Sequence, residues 1–140
     1  MITDRLLTEF PSPSNGDILI SIRNEFAQKI YDGTKTIELR KHLPNFDCFT
    51  YCWIYEPMPV GLITGYFVVA GTIACRPQHL WNEFYQKLGI DKERFMDYYQ
   101  HSGFAYGILI DYANKLPKPY TLSDIGLSRP PQMYQRIRTL

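Results

Sequence analysis

Lys35, Glu38 and Arg40 stand in the stretch GTKTIELRK, Gly33 to Lys41, around the apolar Ile37 and Leu39. Two cations and a carboxylate this close together suit a polar, planar ligand. Arg and Lys donate to an anionic or carbonyl oxygen, and the carboxylate accepts from a ring N–H or an exocyclic amine. In an extended strand Glu38 and Arg40 share one face, with Cα atoms about 7 Å apart, while Ile37 and Leu39 take the other. Lys35 stands at the turn into the strand and reaches toward them. Lys41 and His42 follow directly, and the turn YEPMPVG places Tyr55 and Glu56 at the same end, with Tyr55 as a stacking surface. The competing reading is a solvated ion pair on a surface strand, worth about 0–1 kcal/mol.

Other chemistry has little to stand on. His42, His79 and His101 carry no neighbouring nucleophile, and there is no Gly-rich phosphate loop, H-E-x-x-H or C-x-x-C. Cys48 and Cys52 lie in DCFTYCWIY, which reads as a strand. Four residues along a strand is about 13 Å, too far for a disulfide, so both are expected to face one side as small apolar groups. Three cysteines suit a reducing, cytoplasmic setting. Neither a metal nor a cofactor is expected. No apolar run approaches the roughly 20 residues that span a bilayer, and MITDRLLTEF lacks the apolar core of a signal peptide. Net charge is +1, with +4 on residues 115–140 and −3 on the rest. A basic tail beside an acidic body suits one edge of an anion-binding groove, with Arg129, Arg136 and Arg138 as a backbone track, or simply a solvated chain end.

The elements that position these residues follow from pattern. Residues 1–16, ending in PSPSNG, read as a flexible leader before a single domain over 17–140. DILISI alternates as a strand. In NEFAQKIYDG, Phe26, Ala27, Ile30 and Tyr31 line one helical face, and Gly33 fits a left-handed cap. The opening stretch is the strand that leaves this helix, and further strands are expected at 49–55 and 62–73, with Gly65 and Gly71 as bulge points. Pro77 opens one helix that Gly89 closes, and Asp91 caps a second that ends near Gly103. FAYGILIDY is a strand, and the Pro-rich remainder holds short strands at most. The order predicts an α+β fold: a small, partly closed antiparallel β-barrel with peripheral helices. Tyr98, Tyr99, Tyr120 and Tyr134 have no evident place in this scheme.

The opening stretch matches G-x-K-x-x-E-x-R through Gly33, Lys35, Glu38 and Arg40, and so resembles the ASCH domain of the PUA-like superfamily. ILISIRNEFAQKIYDGTKTIELRK is similar to that family's first strand, helix and second strand. YEPMPVGLITGYF is similar to its turn and following strand, and KPYTLSDIGLSRPPQMY looks like the tails of a bacterial and phage-type subgroup. The resemblance covers residues 17–135. It implies a PUA-like barrel with Lys35, Glu38 and Arg40 on a cleft wall, and binding of RNA or a nucleotide-like small molecule. It also leaves room for a regulatory role with a protein partner. Enzyme branches exist in the superfamily. A metal-independent ribonuclease would use Lys35 or Arg40 on the phosphorane and Glu38 or His42 on the 2′-OH. An amidohydrolase branch acting on a modified nucleoside has a Thr nucleophile where this chain has Glu38, and Thr36 is a poor substitute.

Overall fold

The computed structural model describes residues 10–42 and 46–140. Its elements run β1 (Ile18–Ser21), α1 (Asn24–Tyr31), β2 (Ile37–Arg40), β3 (Tyr51–Glu56), β4 (Leu62–Cys75), α2 (Pro77–Phe84), a 3₁₀ turn (Tyr85–Lys87), α3 (Lys92–Tyr99), β5 (Ala105–Tyr120), a second 3₁₀ turn (Ser123–Ile125) and β6 (Tyr134–Arg136). The strands form one six-stranded sheet in the order β2-β5-β4-β3-β1-β6, curled into the expected α+β half-barrel.

Four of the five pairings are antiparallel; β1 and β3 are parallel, which corrects the all-antiparallel expectation. The reason lies in chain order. α1 and β2 intervene between β1 and β3, so the chain crosses over and returns in the same direction. β5 also extends far beyond the alternating run, through Pro117 and Pro119, to Tyr120. Its partners on β4 step from Lys115↔Gly65 to Tyr120↔Ile63, so both prolines fall in a register gap where no ladder N–H is required. Gly65 sits in this irregular region, where an added Cβ would lie 2.4 Å from Asn114 O and 2.5 Å from Tyr31 Oη.

Both faces of the sheet are covered. One core gathers Ile18, Ile20, Ala27, Ile30, Ile54 and Phe67 under α1. A second holds Leu19, Tyr51, Trp53, Tyr55, Tyr66 and Ile137. A third packs Ile37 and Leu39 against Leu80, Leu88, Phe95 and Tyr99 of the α2–α3 pair. Each fully buried large side chain contributes about 1.5–3 kcal/mol. Phe95 and Tyr99 are four apart on α3 and stack edge to face at 5.0 Å. Asp91 caps α3 as expected, its carboxylate accepting from Arg94 N at 2.8 Å.

Cys48 precedes β3 in an exposed turn while Cys52 is in the core, so the two do not share a strand face. The turn comes from Phe49 at φ 69°, which ends the extended run before Tyr51. Of the expected leader, residues 1–9 lie outside the described residues. Ser14 N donates to Asp17, Gly16 N donates to Ile137 O, and Asn15 exchanges hydrogen bonds with Leu140. Among the described residues no helix is long and apolar enough to cross a membrane.

Candidate functional site

Beside α1 and α3 a cavity of about 460 Å³ opens over β2, lined among others by Lys35, Glu38, Arg40, Phe26, Arg94 and Tyr98. That volume lies in the range of roughly 300–1,000 Å³ usual for small-ligand sites. Its floor is built by strand alternation. Ile37 and Leu39 face the α2–α3 core, which turns Glu38 and Arg40 to the opposite side. Lys35, just before the strand, joins them. All three are buried, at 2%, 7% and 8% exposure, so this is not a solvated ion pair.

Glu38 lies between the two cations. Its Oε2 accepts from Arg40 Nη2 at 2.8 Å, and its Oε1 lies 3.8 Å from Lys35 Nζ. Arg40 Nη2 also donates to Ser21 O at 3.1 Å, tying β2 to β1. Arg40 Nε has no hydrogen-bond partner among the described residues. Lys35 Nζ donates to Leu88 O at 2.6 Å and sits 5.2 Å from the Phe26 ring centroid. Burial holds the Lys35 ammonium below the ordinary lysine pKa, with Lys29 and Arg40 pushing the same way and Glu38 opposing.

The loop between α2 and α3 fixes Lys35. Gly89 has φ +64°, and a Cβ there would meet Lys35 Cβ at 2.8 Å and Cγ at 3.1 Å. Only glycine both adopts this backbone and leaves room for the lysine stem. Lys29 Nζ donates to Gly89 O at 2.8 Å, and Thr36 N donates to Lys87 O at 3.0 Å. α3 is anchored in turn by Tyr99, whose buried hydroxyl donates to Arg40 O at 3.0 Å.

The rim is charged. Arg94 on α3 makes a bidentate pair with Glu25 on α1, at 2.9 and 2.7 Å, and its guanidinium lies 5.1 Å from the Phe26 centroid. Exposed Arg23 lines the same opening. Lys41 is exposed, with Nζ 4.7 Å from the centroid of the Tyr98 ring that forms part of the wall.

Tyr55 and Glu56 are placed elsewhere. Tyr55 packs in the core with Leu19, Trp53 and Ile63, and Glu56 accepts from Asn24 Nδ2 at 2.7 Å. Neither lines the cavity. Both belong to the end of β3, separated from β2 in the sheet by β5 and β4. His42 is exposed and outside the lining, and Thr36 lines a separate hollow of about 260 Å³ with Asp111 and Tyr112. Arg129 and Arg138 are exposed, and Arg136 Nη1 donates to Gly16 O at 2.8 Å. Tyr120 packs edge-on against Trp53 and Tyr134 against Phe46. Phe26 and Arg94 read in the sequence as ordinary helix residues, and Tyr98 as one of four tyrosines without an evident place. Only the packing of α1 and α3 over β2 aims them at one space.

The ASCH domain family model matches residues 20–122. A Zymomonas mobilis protein called an ASCH domain-containing ribonuclease is 26% identical over 98 residues, which is 70% of this chain and 66% of that protein, just under two thirds. The crystal structure of ASCH from Zymomonas mobilis is similar with a TM-score of 0.81 at 23% identity, covering 89% of this chain and 90% of the other. The N-terminal domain of Staphylothermus marinus McrB shares the fold more loosely, with a TM-score of 0.51 at 10% identity over 81% of this chain and 80% of its own. With a family match over most of its length and a superposable fold, this chain belongs to the ASCH domain family.

Proposed function

We propose that the cavity binds one nucleotide unit of single-stranded RNA, or a free nucleotide-like molecule. The observation that carries this reading is the buried Lys35–Glu38–Arg40 floor beneath an open cavity. Two cations against one carboxylate leave an excess of positive charge under a space of ligand size. Burying such groups costs stability unless they are paired, and Arg40 Nε is not fully satisfied. A ligand oxygen accepts from the remaining N–H donors of Lys35 and Arg40, and a ligand N–H uses the carboxylate. Phe26 and Tyr98 offer aromatic surface to a base, and Arg23, Arg94 and Lys41 suit phosphates at the rim. The similarity of the chain to a Zymomonas mobilis protein called a ribonuclease supports the same reading.

A second reading, favoured by the name of the Zymomonas relative, adds cleavage. The 2′-oxygen attacks the adjacent phosphorus as Glu38 takes its proton. The P–O5′ bond breaks, and the departing 5′-oxygen takes a proton from the Lys35 ammonium. The products are a 2′,3′-cyclic phosphate and a 5′-hydroxyl.

The test uses labelled single-stranded RNA with the wild type and a Lys35→Ala/Arg40→Ala variant at two salt concentrations. Anisotropy reads binding and a gel reads cleavage with a chelator present. Binding that falls at least tenfold in the folded variant is the expected result. Equal behaviour of the two proteins removes RNA from the cavity. Chelator-resistant cutting that depends on Lys35 selects the second reading.

A further inference from the structure

We propose that the floor of the cavity recognises the Watson–Crick edge of a uracil ring. This deepens the RNA-binding proposal and rests on it.

The argument counts spare hydrogen-bonding capacity. Lys35 has three N–H donors and spends one on Leu88 O at 2.6 Å. Its 3.8 Å separation from Glu38 Oε1 is too long for a hydrogen bond, so this carboxylate oxygen keeps its capacity to accept. Glu38 Oε2 is already engaged by Arg40 Nη2 at 2.8 Å. Arg40 spends Nη2 on Ser21 O and Glu38, which leaves the other terminal nitrogen of its guanidinium as the donor to the cavity that Arg40 lines. What the floor offers is therefore a donor, a central acceptor and a second donor, in the spatial order Lys35, Glu38, Arg40.

The complementary edge is acceptor, donor, acceptor. Uracil presents this order in O2, N3–H and O4. Cytosine sets the acceptor N3 at the centre of its edge, facing the Glu38 carboxylate. Guanine has one acceptor followed by two donors and needs both carboxylate oxygens, one of which Arg40 holds. Adenine has one acceptor beside one donor and leaves one cation unmatched. A buried polar group left unmatched gives strong discrimination. The ring faces are met by aromatic and apolar walls, Phe26 and Tyr98 with Ile22 and Ile90, while exposed Arg23 and Arg94 stand where sugar and phosphate emerge. With Glu38 held on the base, the floor is a recognition element for the strand.

The test is anisotropy of the purified protein with labelled uridine and cytidine runs of equal length, and with uridine runs carrying 3-methyl or 5-methyl groups. The expected result is at least tenfold tighter binding of the uridine run than of the cytidine run. Methylation at N3, which removes the central donor, should cost at least tenfold, and methylation at C5, which spares the edge, should change little. Glu38→Gln, whose amide can donate to N3 of cytosine, should shrink the preference. Because the modified RNAs probe the unaltered protein, the result does not depend on whether a variant folds. Equal affinity for the two runs, or indifference to N3 methylation, in binding that still requires Lys35 and Arg40 overturns the uracil assignment alone. Absence of any RNA binding overturns the uracil assignment together with the RNA reading of the cavity.

Discussion

Arg40 Nη2 lies 2.8 Å from Glu38 Oε2, two residues apart on one strand face, while the neighbouring Arg40 Nε meets no acceptor among the described residues. The pair is thus braced on one side and unsatisfied on the other. Removing one member leaves the other buried and poorly compensated. Arg40→Ala is expected to lower stability by about 3 kcal/mol, since Glu38 then keeps only the longer contact to Lys35. Urea denaturation of the two proteins checks this, and a loss below about 1 kcal/mol, the level of an exposed pair, would contradict the buried geometry.

Lys35 gives a pH dependence with a definite sign. Its pKa in the folded protein lies below the ordinary 10.5, burial being the main cause. Between the lowered value and 10.5 the unfolded chain binds more protons than the folded one, so stability rises with pH across that window. Below the window the lysine is charged in both states and its desolvation is a constant cost. Lys35→Met removes the titrating group, and the stability of wild type relative to this variant should climb as pH rises toward 10. Parallel stability curves from urea melts at several alkaline pH values would count against the buried ammonium. The same variant should remain folded at neutral pH and bind RNA at least tenfold more weakly, separating the lysine's part in binding from its effect on folding.

Gly89 tests how the lysine is placed. Alanine there must adopt φ +64° and also intrude on the Lys35 stem at 2.8 Å. The backbone strain alone costs about 1–2 kcal/mol. Gly89→Ala should therefore lose stability and weaken ligand binding together, although residue 89 carries no side chain to contact a ligand. A variant with lowered stability but undiminished affinity would show that Lys35 holds its position without this support.

The Glu25–Arg94 pair spans the opening from α1 to α3, with both side chains more than 40% exposed. Glu25 lies below its usual carboxylate pKa and Arg94 above its usual value, each chiefly through their mutual hydrogen bonds. Glu25→Gln releases Arg94 toward an RNA phosphate. Affinity at low salt is expected to rise, and the log–log dependence of affinity on salt to steepen by about 0.7, the increment for one added phosphate contact on a single strand. An unchanged slope would mean that Arg94 stays clear of the RNA.

Much of the candidate site's geometry is legible in the sequence. Period-two alternation through Ile37, Glu38, Leu39 and Arg40 was enough to put the charged pair on one face, and Gly33 and Asp91 marked the flanking helix ends. The second layer was hidden, because Phe26, Arg94 and Tyr98 gain their meaning from long-range packing. Tyr55 and Glu56 misled for a related reason: proximity of strand ends along the chain does not fix strand order, and β5 and β4 intervene. Gly89 was legible as a helix terminator, yet its contact with Lys35 depends on where α2 and α3 dock.

The α2–α3 pair leaves the sheet after Cys75 and rejoins it at Ala105, and those two residues are register partners on β4 and β5. The excursion is therefore a cap set on the tip of a hairpin, held by Leu80, Leu88, Phe95 and Tyr99, and it can lift without breaking a rung of the ladder beneath. Such a unit opens at lower free energy than the whole domain. Backbone amides of residues 92–99 should exchange with solvent by this partial route, ahead of those at Trp53 and Phe67. Occupancy of the cavity would then register first as slowed exchange in this cap, making hydrogen exchange a gauge of ligand binding that requires neither turnover nor a labelled strand.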